Sequence, residues 1–175
     1  MIGEEMIDEI DFDGKVIATH PRSYFKERIF LHRASFIMPK VGSKIIVGMR
    51  AKEKYPFPDR WSCLVGGKVM HGESDVEAAK REMLEEIGCA FSIEKIGEVL
   101  FDLEEFKLLI SLFTNNEVID VNKFELDTSE IQYVKEFSVD DLRTMLDKNP
   151  ESFTPTFKTL LDKFSEYLEN EVNAK

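Results

Sequence analysis

The sequence predicts a mixed α/β domain in which helices cover a sheet. Three observations lead there: short β-branched and aromatic runs separated by turn signals, one sharply capped helical segment in mid-chain, and two amphipathic segments near the end. Met6 to Phe12 and Lys15 to Thr19 flank Asp13-Gly14, a strong hairpin signal, and give a small N-terminal β-ribbon. Ile29 to Met38 and Lys44 to Met49 surround Gly42-Ser43 and read as two further strands. Trp61 to Val65 reads as another, leading into a turn at Gly66-Gly67. A helix follows from about Asp75 to Ile87. Ser74 and Glu77 have the form of a capping box, Val76, Ala79, Met83, Leu84 and Ile87 recur at helical spacing, and Gly88 stops the pattern. Ile93 to Leu103, Phe106 to Thr114 and Ile131 to Phe137 are strand-rich. Val139 to Leu146, preceded by Ser138, and Phe157 to Leu168, preceded by Thr154-Pro155, close the chain as helices.

With 175 residues and 43% hydrophobic content, one domain with a proper core is expected: residues 1–27 as ribbon and lead-in, 28–175 as the core. A net charge of −11 disfavours nucleic-acid polymers and anionic membranes as partners. Cys63 and Cys89 make no disulfide framework and lack zinc-ligand spacing, which fits a reducing compartment. Met1-Ile2-Gly3-Glu4-Glu5 lacks the basic and apolar regions of a signal peptide, and no apolar run is long enough to cross a bilayer, so a cytoplasmic location is expected.

The densest chemistry lies between Gly67 and Cys89. Glu82, Glu85 and Glu86 are related by three and four positions on the expected helix, so their carboxylates project to one side and repel one another. A solvated acidic face is the ordinary meaning of such a run. Here the caps, the spacing and the preceding glycines agree on a cation site, and hard oxygen ligands suit Mg²⁺, with Mn²⁺ as the alternative.

Gly67, Glu73 and the run Arg81-Glu82-Met83-Leu84-Glu85-Glu86-Ile87-Gly88-Cys89 match every defining position of the Nudix box, and the chain resembles the Nudix hydrolase superfamily. The resemblance implies an α/β/α sandwich with a mixed sheet. It further implies metal binding by Glu82, Glu85 and Glu86, with the Gly67 carbonyl as an additional ligand, and an Arg81 that organises the box. The general base of such enzymes lies inside the box (Glu82 or Glu85) or on a later loop, for which Glu104, Glu105 and Glu130 are the candidates. The implied reaction is hydrolysis of a nucleoside diphosphate linked to another moiety, or a related organic diphosphate, by water attack at phosphorus.

Leu31-His32-Arg33-Ala34, Pro58-Asp59-Arg60-Trp61 and the run from Asn149 to Pro155 resemble the isopentenyl-diphosphate-isomerase-like branch. In the isomerase a cysteine follows a similarly placed tryptophan and precedes Ser-His-Pro. Here Val65 and Gly66 stand there, followed by Gly67-Lys68-Val69, so hydrolysis is favoured over isomerisation. A non-catalytic binding protein is the third reading. Cys63 is read as a structural, buried thiol.

For the substrate, Arg33, Arg60 and Lys68 are candidate phosphate contacts, and Trp61, Phe57 and Tyr55 are candidate stacking surfaces whose alternative is core or loop anchoring. His20, His32 and His71 lack metal-ligand spacing; His32 is read as structural and His71 as near the site without a role. The marks expected of ADP-ribose, dinucleoside-polyphosphate and NADH hydrolases are absent. The resemblance also allows a homodimer.

Overall fold

The computed structural model describes residues 4–170. The start of the expected leader region, Met1 to Gly3, lies outside them, as do residues 171–175 of the expected single domain. Strands β1 (Met6–Ile10) and β2 (Val16–Pro21) form the antiparallel N-terminal ribbon. Its turn is built by the Asp11 carboxylate, which accepts from the amides of Asp13 and Lys15, and by Gly14 at φ +79°. The ribbon is fastened to the rest of the molecule. Ile7 and Ile10 are buried, the Ile10 amide donates to the Leu31 carbonyl, and the His71 amide donates to the Met6 carbonyl.

Two four-stranded sheets form the centre. One has the order β7 (Val65–Lys68), β3 (His32–Ile37), β9 (Lys107–Asn115), β8 (Ile93–Asp102), and the β3–β9 pair alone is parallel within it. In the other, β5 (Lys44–Arg50) pairs with β10 (Ile131–Phe137), β6 (Trp61–Cys63) and the short β4 (Lys40–Val41), all antiparallel. Helix α1 (Asp75–Ile87) packs against β7 and β3, while α2 (Val139–Lys148) and α3 (Pro155–Asn170) cover the opposite side.

Strand alternation divides the core between these layers. Ile45 and Val47 join Ala34, Ile110, Leu112 and the apolar faces of α2 and α3. Ile46 points the other way to meet Ala79, Met83 and Ile87 of α1. Helix α1 has the expected bounds because its ends are chemically specified. The Ser74 hydroxyl accepts from the Glu77 amide, the Glu77 carboxylate accepts from the Ser74 amide, and Gly88 closes the helix at φ +67°.

The turn expected at Gly66-Gly67 is not formed. Both glycines lie inside β7, paired with Phe36 and Ser35. Crowding requires them: a Cβ on Gly66 would lie 2.4 Å from the Phe36 ring, and one on Gly67 would lie 1.9 Å from a Glu82 carboxylate oxygen. The double glycine therefore marks close packing, of Gly66 on the Phe36 ring of β3 and of Gly67 on the Glu82 carboxylate of α1, rather than a reversal of the chain.

Candidate active site

The carboxylates of α1 face an open cleft of about 1520 Å³ whose walls come from β3, β7, α1, the segment before β3, the loop after β5 and the β8–β9 connection. Adjoining it, and sharing Gly66, Glu86, Glu130 and Arg50 with it, is a small recess also lined by Cys63 and Ile131.

Arg81 organises this region by spending all its donors. Nε and Nη2 donate to the two oxygens of Glu73 at 2.7 and 3.0 Å, Nη2 also donates to the Lys68 carbonyl at 3.0 Å, and Nη1 donates to Glu82 at 2.7 Å and Glu85 at 3.3 Å. These contacts use the five N–H groups of the guanidinium, so none remains for a substrate. The carboxylates around it hold the guanidinium's pKa above its ordinary value, Glu73 first among them.

Glu86 is 8% exposed, and among the described residues its carboxylate accepts one hydrogen bond, from the Gly66 amide at 3.3 Å. Burial, then the neighbouring charges of Glu82 and Glu130, push its pKa up to about 8. Burial also raises Glu82, against the opposing effect of Arg81. Glu85 is the most exposed of the three, with 57% of its side chain open. Among the described residues no three His, Cys, Asp or Glu side chains are already drawn together as a closed ligand set. In donor chemistry and charge the residues nevertheless fit a hard divalent cation. They offer only oxygen, their negative charge is under-compensated, and the missing Cβ of Gly67 lets the Glu82 carboxylate lie directly over the strand backbone.

The other expected residues separate into two groups. Lys68 lines the cleft, partly buried, with its ammonium 5.3 Å from the Phe25 ring centroid; burial lowers its pKa, and Arg22 and Lys54 lower it further. Tyr55, Phe57, Glu104, Glu105 and Glu130 also line it, with Glu130 ion-paired to Lys54. Arg33, Arg60 and Trp61 do not. Arg33 lies on the α1 side of β3, between Asp75, Glu98 and the Gly14 carbonyl. Arg60 stacks over Phe57 and pairs with Glu151. Trp61 is 7% exposed and packs edge-on against Tyr133 and Phe137 in the core. His71 is held by Asp8 of the ribbon at 2.8 Å. Cys63 is buried, and burial pushes its thiol pKa far up, so it is neutral.

Arg50 was missed by the sequence reading. It lines both the recess and the cleft, and donates to the carbonyls of Phe57 (2.9 Å) and Pro56 (2.7 Å), holding the loop that carries Lys54 and Tyr55. The available signal was alternation: Gly48 and Arg50, two apart on β5, share a face and both line the recess.

A glycine-cradled set of glutamates on a capped helix, with Glu86 buried among them, is set in an α/β/α sandwich. The NUDIX domain model matches residues 31–157, and the chain belongs to that family as an enzyme of the Nudix hydrolase class. An uncharacterised Nudix hydrolase of Yersinia pestis is 31% identical over 132 residues, covering 74% of this chain and 71% of the relative. A crystal structure of a Deinococcus radiodurans protein superposes with a TM-score of 0.74 at 17% identity, over 91% of this chain and 98% of that one. A bifunctional NMN adenylyltransferase/ADP-ribose pyrophosphatase from Francisella tularensis, crystallised with AMP and a manganese ion, matches with a TM-score of 0.57 at 16% identity, over 83% of this chain and 47% of that one. Among the described residues no helix is long and apolar enough to cross a membrane.

Proposed function

We propose that the chain hydrolyses the diphosphate linkage of a nucleoside diphosphate joined to another moiety, with Mg²⁺ held by Glu82, Glu85, Glu86 and the Gly67 carbonyl, and Mn²⁺ able to replace it. The observation that carries this reading is Glu86, a buried carboxylate with one weak hydrogen bond and two like charges beside it. That arrangement is costly unless a cation joins it. When bound, the ion supplies charge neutralisation at the phosphoryl oxygens and a more acidic water.

The chain's own residues do the rest. Arg81 fixes Glu82 and ties β7 to α1, and so sets the position of the Gly67 carbonyl beside it. Lys68, partly desolvated and without a carboxylate bond of its own among the described hydrogen bonds, provides positive charge on the cleft wall for the diphosphate. Glu85, tied to Arg81 by a single 3.3 Å bond, is assigned the proton of the attacking water. The buried neutral thiol of Cys63 and the apolar Val65 supply no acid–base pair for double-bond migration, which argues against the isomerase.

A panel of nucleotide and isoprenoid diphosphates with Mg²⁺, followed for both phosphate release and double-bond migration, tests this reading. Hydrolysis of a nucleoside diphosphate derivative is expected. Migration without hydrolysis, or no turnover of any member, would overturn it.

A further inference from the structure

His32 Nε2 is the single buried side-chain nitrogen or oxygen without a hydrogen-bond partner among the described residues. The imidazole is 4% exposed, and its Nδ1 lies 3.0 Å from the Phe30 carbonyl. A carbonyl only accepts, so Nδ1 carries the proton and Nε2 presents a bare lone pair. Burial lowers the ring's pKa to about 4, which keeps that lone pair free at neutral pH. His32 shares its face of β3 with Ala34 and Phe36, and all three line the cleft.

The strand register places this acceptor further from Glu86 than Lys68 is. Lys68 sits over the Phe25 ring, and the same ring packs edge-on against His32 with centroids 4.7 Å apart. Through its carbonyl Lys68 is tied to Arg81, and so to the box carboxylates. The β3–β7 register pairs Gly66, whose amide meets Glu86, with Phe36 and pairs Lys68 with Ala34, so His32 follows two residues further along the same face. Ionised phosphate oxygens accept hydrogen bonds and have nothing to offer a second acceptor. A hydroxyl or an amine does.

We propose that His32 Nε2 accepts a hydrogen bond from a hydroxyl or amine on the group that the diphosphate carries, which makes His32 a specificity residue for donor-bearing substrates such as nucleotide sugars over alkyl diphosphates. The ligand reaches it by shifting Phe25, whose 3-10 turn (Arg22–Lys26) buries none of its residues. This inference rests on the hydrolase reading, and its test is chosen to fail separately.

The ¹⁵N resonance of His32 Nε2 is followed in the full chain while ADP-ribose, ADP-glucose, UDP-glucose and dimethylallyl diphosphate are added in turn. A free lone pair is expected in the unliganded protein, with an upfield shift on binding of at least one nucleotide sugar and none with the alkyl diphosphate. His32→Asn keeps a donor near the Phe30 carbonyl and loses the distal acceptor, whereas His32→Gln keeps an acceptor at the Nε2 position. For the responding sugar, His32→Asn is expected to raise KM about tenfold with kcat within twofold, and His32→Gln to recover part of it, the size of one neutral hydrogen bond. An Nε2 already hydrogen-bonded in the free protein and unmoved by every probe overturns the inference, as does failure of the whole panel to bind. Binding with the shift but without hydrolysis overturns the hydrolase reading alone.

Discussion

Helix α1 carries a partly buried acid at its start and a buried one near its end, and the two are treated in opposite ways. Asp75, at its start, is surrounded by compensation: the Ser111 hydroxyl donates at 2.6 Å, Lys95 lies at 3.4 Å and Arg33 at 3.5 Å. Glu86, near its end, has one amide at 3.3 Å and feels the charges of Glu82 and Glu130, which Lys54 offsets only in part. A structural carboxylate is satisfied by the fold itself, as Asp75 is, because an unpaired buried charge is expensive. One left under-compensated beside an open cleft fits the proposed cation. The difference separates scaffold from proposed site on a single helix.

The largest expected effect is at the uncompensated end. Glu86→Gln nearly preserves shape while removing the charge, and is expected to lower kcat by about 100-fold or more, the size typical of losing a key electrostatic group. Metal-free stability in urea should be unchanged or higher, since the amide removes the cost of burying an ionisable carboxyl beside Glu82 and Glu130. Near-normal turnover would erase the contrast with Asp75. Gly67→Ala comes next. Its Cβ would sit 1.9 Å from the Glu82 carboxylate, so activity should fall by about 10-fold or more as that group is displaced, at a packing cost of about 1 to 3 kcal/mol. Asp75→Asn should show the reverse profile: a loss of about 1 to 3 kcal/mol in stability from the weakened contacts with Ser111, Arg33 and Lys95, the two cations keeping only Glu98 as an anion, with kcat nearly intact. A large kcat loss in a folded Asp75→Asn protein would show that the two acids are not functionally distinct.

The smallest effect is on pH dependence. Glu86 holds its proton in the folded state up to about pH 8 but releases it near 4.5 when unfolded. Between those values the folded state binds more protons, so metal-free stability declines as pH rises through the window. Glu86→Gln should flatten that decline. His32 acts in the opposite sense: its folded value near 4 lies below 6.5, so its contribution is present above pH 6.5 and is lost as pH falls toward 4. Denaturant titrations of metal-free protein at a series of pH values would resolve both slopes.

Much of this was legible in the sequence, because local chemistry specified it. The capping box and Gly88 set the bounds of α1, Asp13-Gly14 set the ribbon, and the spacing of Glu82, Glu85 and Glu86 put them on one face. What sequence could not decide was which face of a strand meets which layer. Arg33 and His32 are adjacent on β3, and a one-residue difference sends the first to Asp75 and the second to the cleft. His32, read as structural, is the one left with an orphaned acceptor. Trp61 and Arg60 were drawn toward the site by proximity in sequence, yet the pairing of β6 with β5 turns Trp61 into the core. The extended Gly66-Gly67 was hidden for a related reason: the Phe36 ring and the Glu82 carboxylate that demand glycine there come from distant parts of the chain.

The central claim, that the acids at the end of α1 form a cation site while the one at its start does not, is tested most directly by thermal unfolding at pH 7.5 with increasing Mg²⁺. At an ion concentration of about 100 times Kd, linkage gives about 2.7 kcal/mol of stabilisation. For a chain of this size that corresponds to a Tm rise of about 5 to 10 °C. The account predicts that rise for the wild type and for Asp75→Asn, and its near-absence for Glu86→Gln. Equal rises in wild type and Glu86→Gln would contradict it.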